Sequence, residues 1–97
     1  MRFDISTDFE WDAGNEDKNW LKHQVSKSEC EEIFFDPEKI ELRDSEHSKI
    51  EDRLIVLGKT KKEKLLFVVY TRRKDKIRVI SARTADKKEE KLYEKNA

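Results

Sequence analysis

Residues 54–82 read LIVLGKTKKEKLLFVVYTRRKDKIRVISA, and this stretch decides the fold. Leu54–Leu57 and Leu65–Tyr70 are apolar throughout, and Ile77–Ala82 is nearly so. Each run is too short for a buried helix and is rich in β-branched and aromatic side chains, so all three read as strands. Continuous apolar character means strands that are covered on both faces or lie centrally in a sheet. Lys59, Lys61, Lys62 and Lys64 mark the first turn, and Lys74-Asp75 is a two-residue hairpin tip without glycine. A tip there places Thr71 opposite Arg78 and Leu66 opposite Arg83. Two-residue alternation then sends Arg78 and Arg83 to opposite faces unless a bulge intervenes.

Outward from this hairpin the signals are more local. Ile40–Arg43 has weaker strand character, and Phe3, Ile5, Phe9 and Trp11 give a half-buried strand near the start. Asp12 is an N-cap for a short helix over Ala13–His23, with Trp20 and Leu21 as its apolar stripe. Ser26 and Glu29 form a capping box, and Cys30, Ile33 and Phe34 supply the helix face behind it. Asp36-Pro37 ends that helix, because proline pushes its predecessor out of the helical region. Thr84 caps a last helix, Ala85–Lys95, with only Ala85, Leu92 and Tyr93 to dock it. The order β-α-α-β-β-β-β-α describes one α+β domain over residues 1–97. It is a twisted, mainly antiparallel sheet with two N-terminal helices and one C-terminal helix.

Composition narrows the function classes. Of 97 residues, 45% are charged and 35% hydrophobic, which allows one small core. Nine aromatics and periodic apolar runs argue for a folded chain rather than a disordered one. No run is long enough to span a membrane, and the acidic opening MRFDISTDFEWD lacks the apolar core of a signal peptide. With Cys30 as the single cysteine, an internal disulfide is excluded and a reducing cytoplasm is expected. No spacing of metal ligands and no glycine-rich phosphate loop occurs, so neither metal nor cofactor is expected. The net charge of zero hides a division: residues 1–52 carry −9 and residues 53–97 carry +9. That split fits a polyanionic partner for the basic half, or two halves that neutralise each other.

Ordered motifs run through the whole chain: Phe9-Glu10-Trp11-Asp12, then Asn19-x-x-Lys22-His23-x-Val25-Ser26, then Phe34-x-Asp36-Pro37. Asp44-x-x-His47-Ser48-x-x-Glu51-x-Arg53 and Gly58 follow, then Thr71-x-Arg73, Ile77-Arg78-x-Ile80-Ser81-Ala82-Arg83, Glu89 and Tyr93. In this set and spacing the chain resembles the BrnT family of bacterial toxins. The resemblance implies a RelE-like α+β fold and a ribonuclease that blocks translation. It also implies a partner, a BrnA-type ribbon-helix-helix antitoxin that covers the toxin and connects it to operator DNA. The chain departs from the family pattern at Ala13-Gly14-Asn15, Lys27, Glu63, Lys74 and Glu90.

Metal-independent RNA cleavage by the 2′-hydroxyl needs a proton acceptor, a proton donor and positive charge at the phosphate. Arginine suits the last task because its planar fork bonds two phosphate oxygens and keeps its charge. Arg78 with Arg73, near the hairpin tip, form the expected phosphate pair. Arg83 is expected to tie the strand end to an acidic residue of the N-terminal half, with the reverse assignment open. His47, in a polar loop with Asp44 and Glu51, is an acid/base candidate or a loop histidine making a turn hydrogen bond. Lys22 and His23 fall at a helix C-terminus, where cations suit the dipole, and are candidate RNA contacts with Lys59 and Lys61. Glu10 is either a general base or a solvent-facing residue between two aromatics. Trp11, Trp20 and Cys30 read as core. A second functional reading is a non-catalytic homologue that acts in complex formation and operon regulation. A third is an ordinary nucleic-acid-binding domain.

Overall fold

The computed structural model describes residues 8–11, 24–44 and 52–96. Seven elements follow in order: β1 (Asp8–Glu10), α1 (Lys27–Ile33), β2 (Ile40–Arg43), β3 (Leu54–Lys59), β4 (Leu65–Arg73), β5 (Lys76–Thr84) and α2 (Lys87–Asn96). The strands make one mixed sheet, ordered β1-β5-β4-β3-β2. β2 through β5 pair antiparallel, while β1 joins the outer side of β5 in parallel. The α+β class and the four-strand run from β2 to β5 agree with the sequence reading. The helix expected over Ala13–His23 lies outside the described residues, as do Phe3 and Ile5 of the first strand.

One face of the sheet carries the main core. Val56, Leu66, Val68, Tyr70, Ile77, Val79 and Ala82 pack there with Val25, Cys30, Ile33 and Phe34 from α1 and its flanks. Phe34 bridges Phe9 and Tyr70 through edge-to-face contacts at ring-centroid distances of 5.3 and 4.9 Å. The Trp11 indole Nε1 donates to Glu31 at 2.7 Å, fastening the end of β1 to α1. Burial pushes the Cys30 thiol up to about 12, so this cysteine is a core residue and not a nucleophile.

α1 starts where the sequence says it should. The Ser26 hydroxyl accepts from the Glu29 amide (3.2 Å), and the Glu29 carboxylate accepts from the Ser26 amide (2.9 Å). Gly58 explains how closely α1 approaches β3. A Cβ there would come within 2.9 Å of the Ile33 carbonyl oxygen, so only glycine fits.

α2 begins later than expected. Thr84 stays in β5, opposite Leu66. The cap is Asp86, whose carboxylate accepts from the Glu89 amide while Glu89 accepts from the Asp86 amide, both at 2.9 Å. A carboxylate completes a capping box as well as a hydroxyl does, and the strand hydrogen bonds hold Thr84 back.

The register of the last hairpin also departs from expectation in one decisive place. Lys74-Asp75 is the tip, with Lys74 in the left-handed region at φ 57°, and Thr71 stands opposite Arg78 as read. Beyond that the ladder shifts: Tyr70 pairs Val79, but Val69 pairs Ser81, leaving Ile80 as an extra residue. Arg83 therefore stands opposite Phe67 and not Leu66. Since Phe67, Val69 and Thr71 alternate regularly on β4, the bulge returns Arg83 to the face that Arg78 occupies.

Candidate functional site

That face, opposite α1, is organised in cross-strand rows. The first row is Glu10, Arg78 and Thr71, set by the β1–β5 and β5–β4 registers. The second runs Ser81, Val69, Ile55 and Leu42. The third runs Arg83, Phe67, Leu57 and Ile40. α2 covers the far end, where Leu57, Leu65 and Tyr93 form a second, smaller core with Ile40, Phe67 and Ala85 packed against it. The middle row is not part of either buried cluster. Ser81, Val69 and Ile55 are half-buried, and Leu42 is 44% exposed.

Arg78 donates from Nη1 to Glu10 Oε1 at 2.9 Å, with the two side chains 21% and 35% exposed. The bond joins residues 68 apart in the chain. Beneath this pair Thr71 is buried, and its hydroxyl donates to the Asp52 carbonyl at 2.6 Å. Asp44, whose amide donates to the Arg53 carbonyl at 2.8 Å, closes the neck of the segment between β2 and β3. The chain thus leaves and re-enters the sheet beside the Thr71–Arg78 row.

Arg83 is held differently. Its two terminal nitrogens donate to the two oxygens of Glu89, both at 2.8 Å, and its guanidinium lies 4.2 Å over the Phe67 ring. The Glu89 hydrogen bonds hold the Arg83 pKa above its ordinary value, outweighing the lowering effect of burial. Arg83 does tie the strand end to a carboxylate, but the partner belongs to α2 and not to the N-terminal half. The Asp86 cap turns Glu89 back toward β5, a proximity that distance along the strand alone does not reveal.

Further along α2, the Tyr93 hydroxyl donates to Asp36 Oδ2 at 2.6 Å, and the Lys59 amide donates to the same oxygen at 2.8 Å. The Glu38 amide donates to Oδ1 at 2.9 Å. Burial alone would raise the Asp36 pKa, but these three donors outweigh it and hold the carboxyl below its ordinary 3.8. The Phe34-x-Asp36-Pro37 motif thus does more than end a helix. It is the seat onto which the last helix is fastened.

The remaining sequence candidates are spread out. Arg73 pairs with Lys76, two residues along β4 from Thr71. Lys59 stands opposite Leu65, six residues from Thr71 on β4, which is about 20 Å along the strand. Its ammonium lies 5.4 Å over the Tyr93 ring. Lys61 shares a groove with Lys59, Glu31, Glu32 and Asp36, and its amide donates to Glu32. Carboxylates so placed oppose a phosphate in this groove. His47, Lys22 and His23 lie outside the described residues.

Glu10 is the site residue to which local sequence gave least weight. Its neighbours Phe9 and Trp11 mark it as the outward member of a strand, and only the parallel β1–β5 pairing reveals what it faces. Among the described residues no three His, Cys, Asp or Glu side chains gather as a metal site, and no helix is long and apolar enough to cross a membrane. The chain matches no curated protein. A family model described as the ribonuclease toxin BrnT, of type II toxin–antitoxin systems, matches residues 11–89.

Proposed function

The chain belongs to the BrnT family of ribonuclease toxins of type II toxin–antitoxin systems, and on that footing we propose that it cleaves RNA on the open face of its sheet. The cleavage runs without a metal and blocks translation in the cytoplasm, from a RelE-like fold. The observation that carries this reading is the row arrangement. One arginine, Arg78, stands at the edge of a half-buried, largely apolar strip, beside a carboxylate and a hydrogen-bonded threonine. The guanidinium of Arg78 is planar and keeps its charge, which suits a phosphate. Arg78 grips the scissile phosphate, with Arg73 assisting from the hairpin tip. Nucleotides on either side lie across Ser81, Val69, Ile55 and Leu42. Arg83 serves the structure. His47, on the segment whose neck is Asp44 and Arg53, is the proposed donor to the leaving oxygen. Lys22, His23, Lys59 and Lys61 provide outer phosphate contacts.

Purified protein incubated with RNA in EDTA tests this directly. Wild type should yield fragments ending in 2′,3′-cyclic phosphate, and Arg78→Ala should lose about 100-fold or more in rate, the usual worth of one well-aimed donor. Full activity in Arg78→Ala overturns the assignment of the phosphate site. A folded wild-type chain that neither cuts RNA nor arrests growth overturns the ribonuclease reading in favour of the non-catalytic homologue.

A type II toxin has an antitoxin as its partner. We assign that role to a BrnA-type ribbon-helix-helix protein that covers the surface around Arg73 and Arg78, so that operator DNA is reached only through the antitoxin. Unchanged capture of the adjacent-gene product by the Arg73→Glu, Arg78→Glu double variant would refute this placement.

A further inference from the structure

We propose that Glu10 is the proton acceptor of the cleavage step, an inference that rests on the ribonuclease reading and on Arg78 as the phosphate ligand. The argument is positional. Glu10 and Arg78 are direct partners in the β1–β5 register, on the same face, joined at 2.9 Å. The 2′-hydroxyl of a ribonucleotide lies next to its own 3′-phosphate. A phosphate gripped by Arg78 therefore brings that hydroxyl within hydrogen-bonding reach of a carboxylate fixed to the same guanidinium. Two other described carboxylates on this side, Glu89 and Asp52, are tied into the fold. Glu89 accepts both Arg83 nitrogens and the Asp86 amide. Asp52 reaches this row through its carbonyl, while its side chain pairs with Arg43.

In the step, Glu10 takes the 2′-hydroxyl proton and the 2′-oxygen bonds to phosphorus. The bond from phosphorus to the 5′-oxygen breaks, and that oxygen takes a proton from the donor or from solvent. Glu10 then releases its proton to water, which balances the reaction and leaves a 2′,3′-cyclic phosphate and a free 5′-hydroxyl. Other charged groups on this face are Arg78 in its own row and, one row toward the hairpin tip, Asp8 and Lys76.

Glu10→Gln is the test, because an amide oxygen can still accept from Arg78 but cannot take up a proton. Cleavage should fall about 100-fold or more. Affinity for an RNA carrying a 2′-deoxy nucleotide at the cut site should change less than about threefold, and the acidic limb of the pH–rate profile should vanish. Glu10→Asp should recover part of the rate together with that limb. Glu10→Gln cleavage within about threefold of wild type overturns the proposal. So does loss of RNA affinity in proportion to rate, or an unchanged acidic limb. If Glu10→Gln does not fold, Glu10→Asp decides: an active variant without an acidic limb, or an inactive folded one, overturns it. Wild type that fails to cut RNA defeats the ribonuclease reading and Glu10 with it. Wild type that cuts alongside an unimpaired Glu10→Gln defeats Glu10 alone.

Discussion

Two arginines on one strand and one face, each bonded to a glutamate, sit in different surroundings. At the α2 end, Arg83 spends both terminal nitrogens on Glu89 and its flat face on Phe67. Glu89 in turn completes the cap of the helix, and Asp36 seats the same helix through Tyr93. The polar side chains named there each satisfy another group of the fold. At the hairpin end, Arg78 donates to Glu10 at 2.9 Å, at the rim of a half-buried strip that lies outside both buried clusters of the described residues. The lesson is that an arginine–carboxylate pair is not one kind of object. A bidentate, ring-stacked pair tied into a cap is a fastening, whereas the pair beside the half-buried strip is the one we propose for the ligand.

The largest effect that could break this contrast is on activity. Arg78→Ala should cost about 100-fold or more in RNA cleavage, while changing the unfolding free energy by less than about 1 kcal/mol, as for other partly exposed pairs. A chemical denaturation curve beside a cleavage time course checks both halves. If Arg78→Ala is instead strongly destabilised, the two pairs are alike and the distinction fails.

On the structural side, Asp36→Ala should destabilise by about 2–4 kcal/mol, since it leaves Tyr93 and the Lys59 amide without their acceptor. Cleavage per folded molecule should stay near wild type. Lost activity at full folding would show that α2 docking reaches the open rows.

Arg83→Ala should cost about 1–2 kcal/mol, combining a bidentate pair with a ring contact and discounted because the arginine side chain is 38% exposed. Arg83→Lys should recover little, because a point charge cannot match both Glu89 oxygens. A double-mutant cycle with Glu89→Ala measures the coupling. A value near zero would make the Arg83 pair as loose as an ordinary surface contact.

The smallest effect is in acid. Because the folded-state pKa of Asp36 is held below the ordinary 3.8, its contribution is present above that value. It is lost as pH falls through 3.8 toward the folded value. Wild type should thus lose stability over this window relative to Asp36→Asn, whose stability should vary less with pH there. Parallel acid titrations of the two proteins check this.

Much of the architecture was legible in the chain. The runs at 54–57, 65–70 and 77–82 became β3, β4 and β5, each extended by a few residues at its ends. The Ser26–Glu29 box became the start of α1, and Lys74-Asp75 became the tip. These signals are local: burial periodicity, caps and turns act over a few residues and leave their mark in the same few residues. The start of α2 was misplaced at Thr84 because two capping residues, Thr84 and Asp86, compete there. The β5 ladder decides between them.

The candidate site was legible only in its parts. The sequence by itself determined the residue types, an arginine-rich hairpin and a carboxylate in the Phe9–Trp11 strand, and through its ordered motifs the family. Only the tertiary structure decided which of them meet. The bulge at Ile80 placed Arg78 and Arg83 on one face, and the parallel pairing of β1 with β5 brought Glu10 to Arg78 across 68 residues. Strand alternation is a property of neighbours, but register between distant strands comes from packing the whole sheet against α1 and α2. A one-residue shift there changes which face a side chain serves without altering any local pattern.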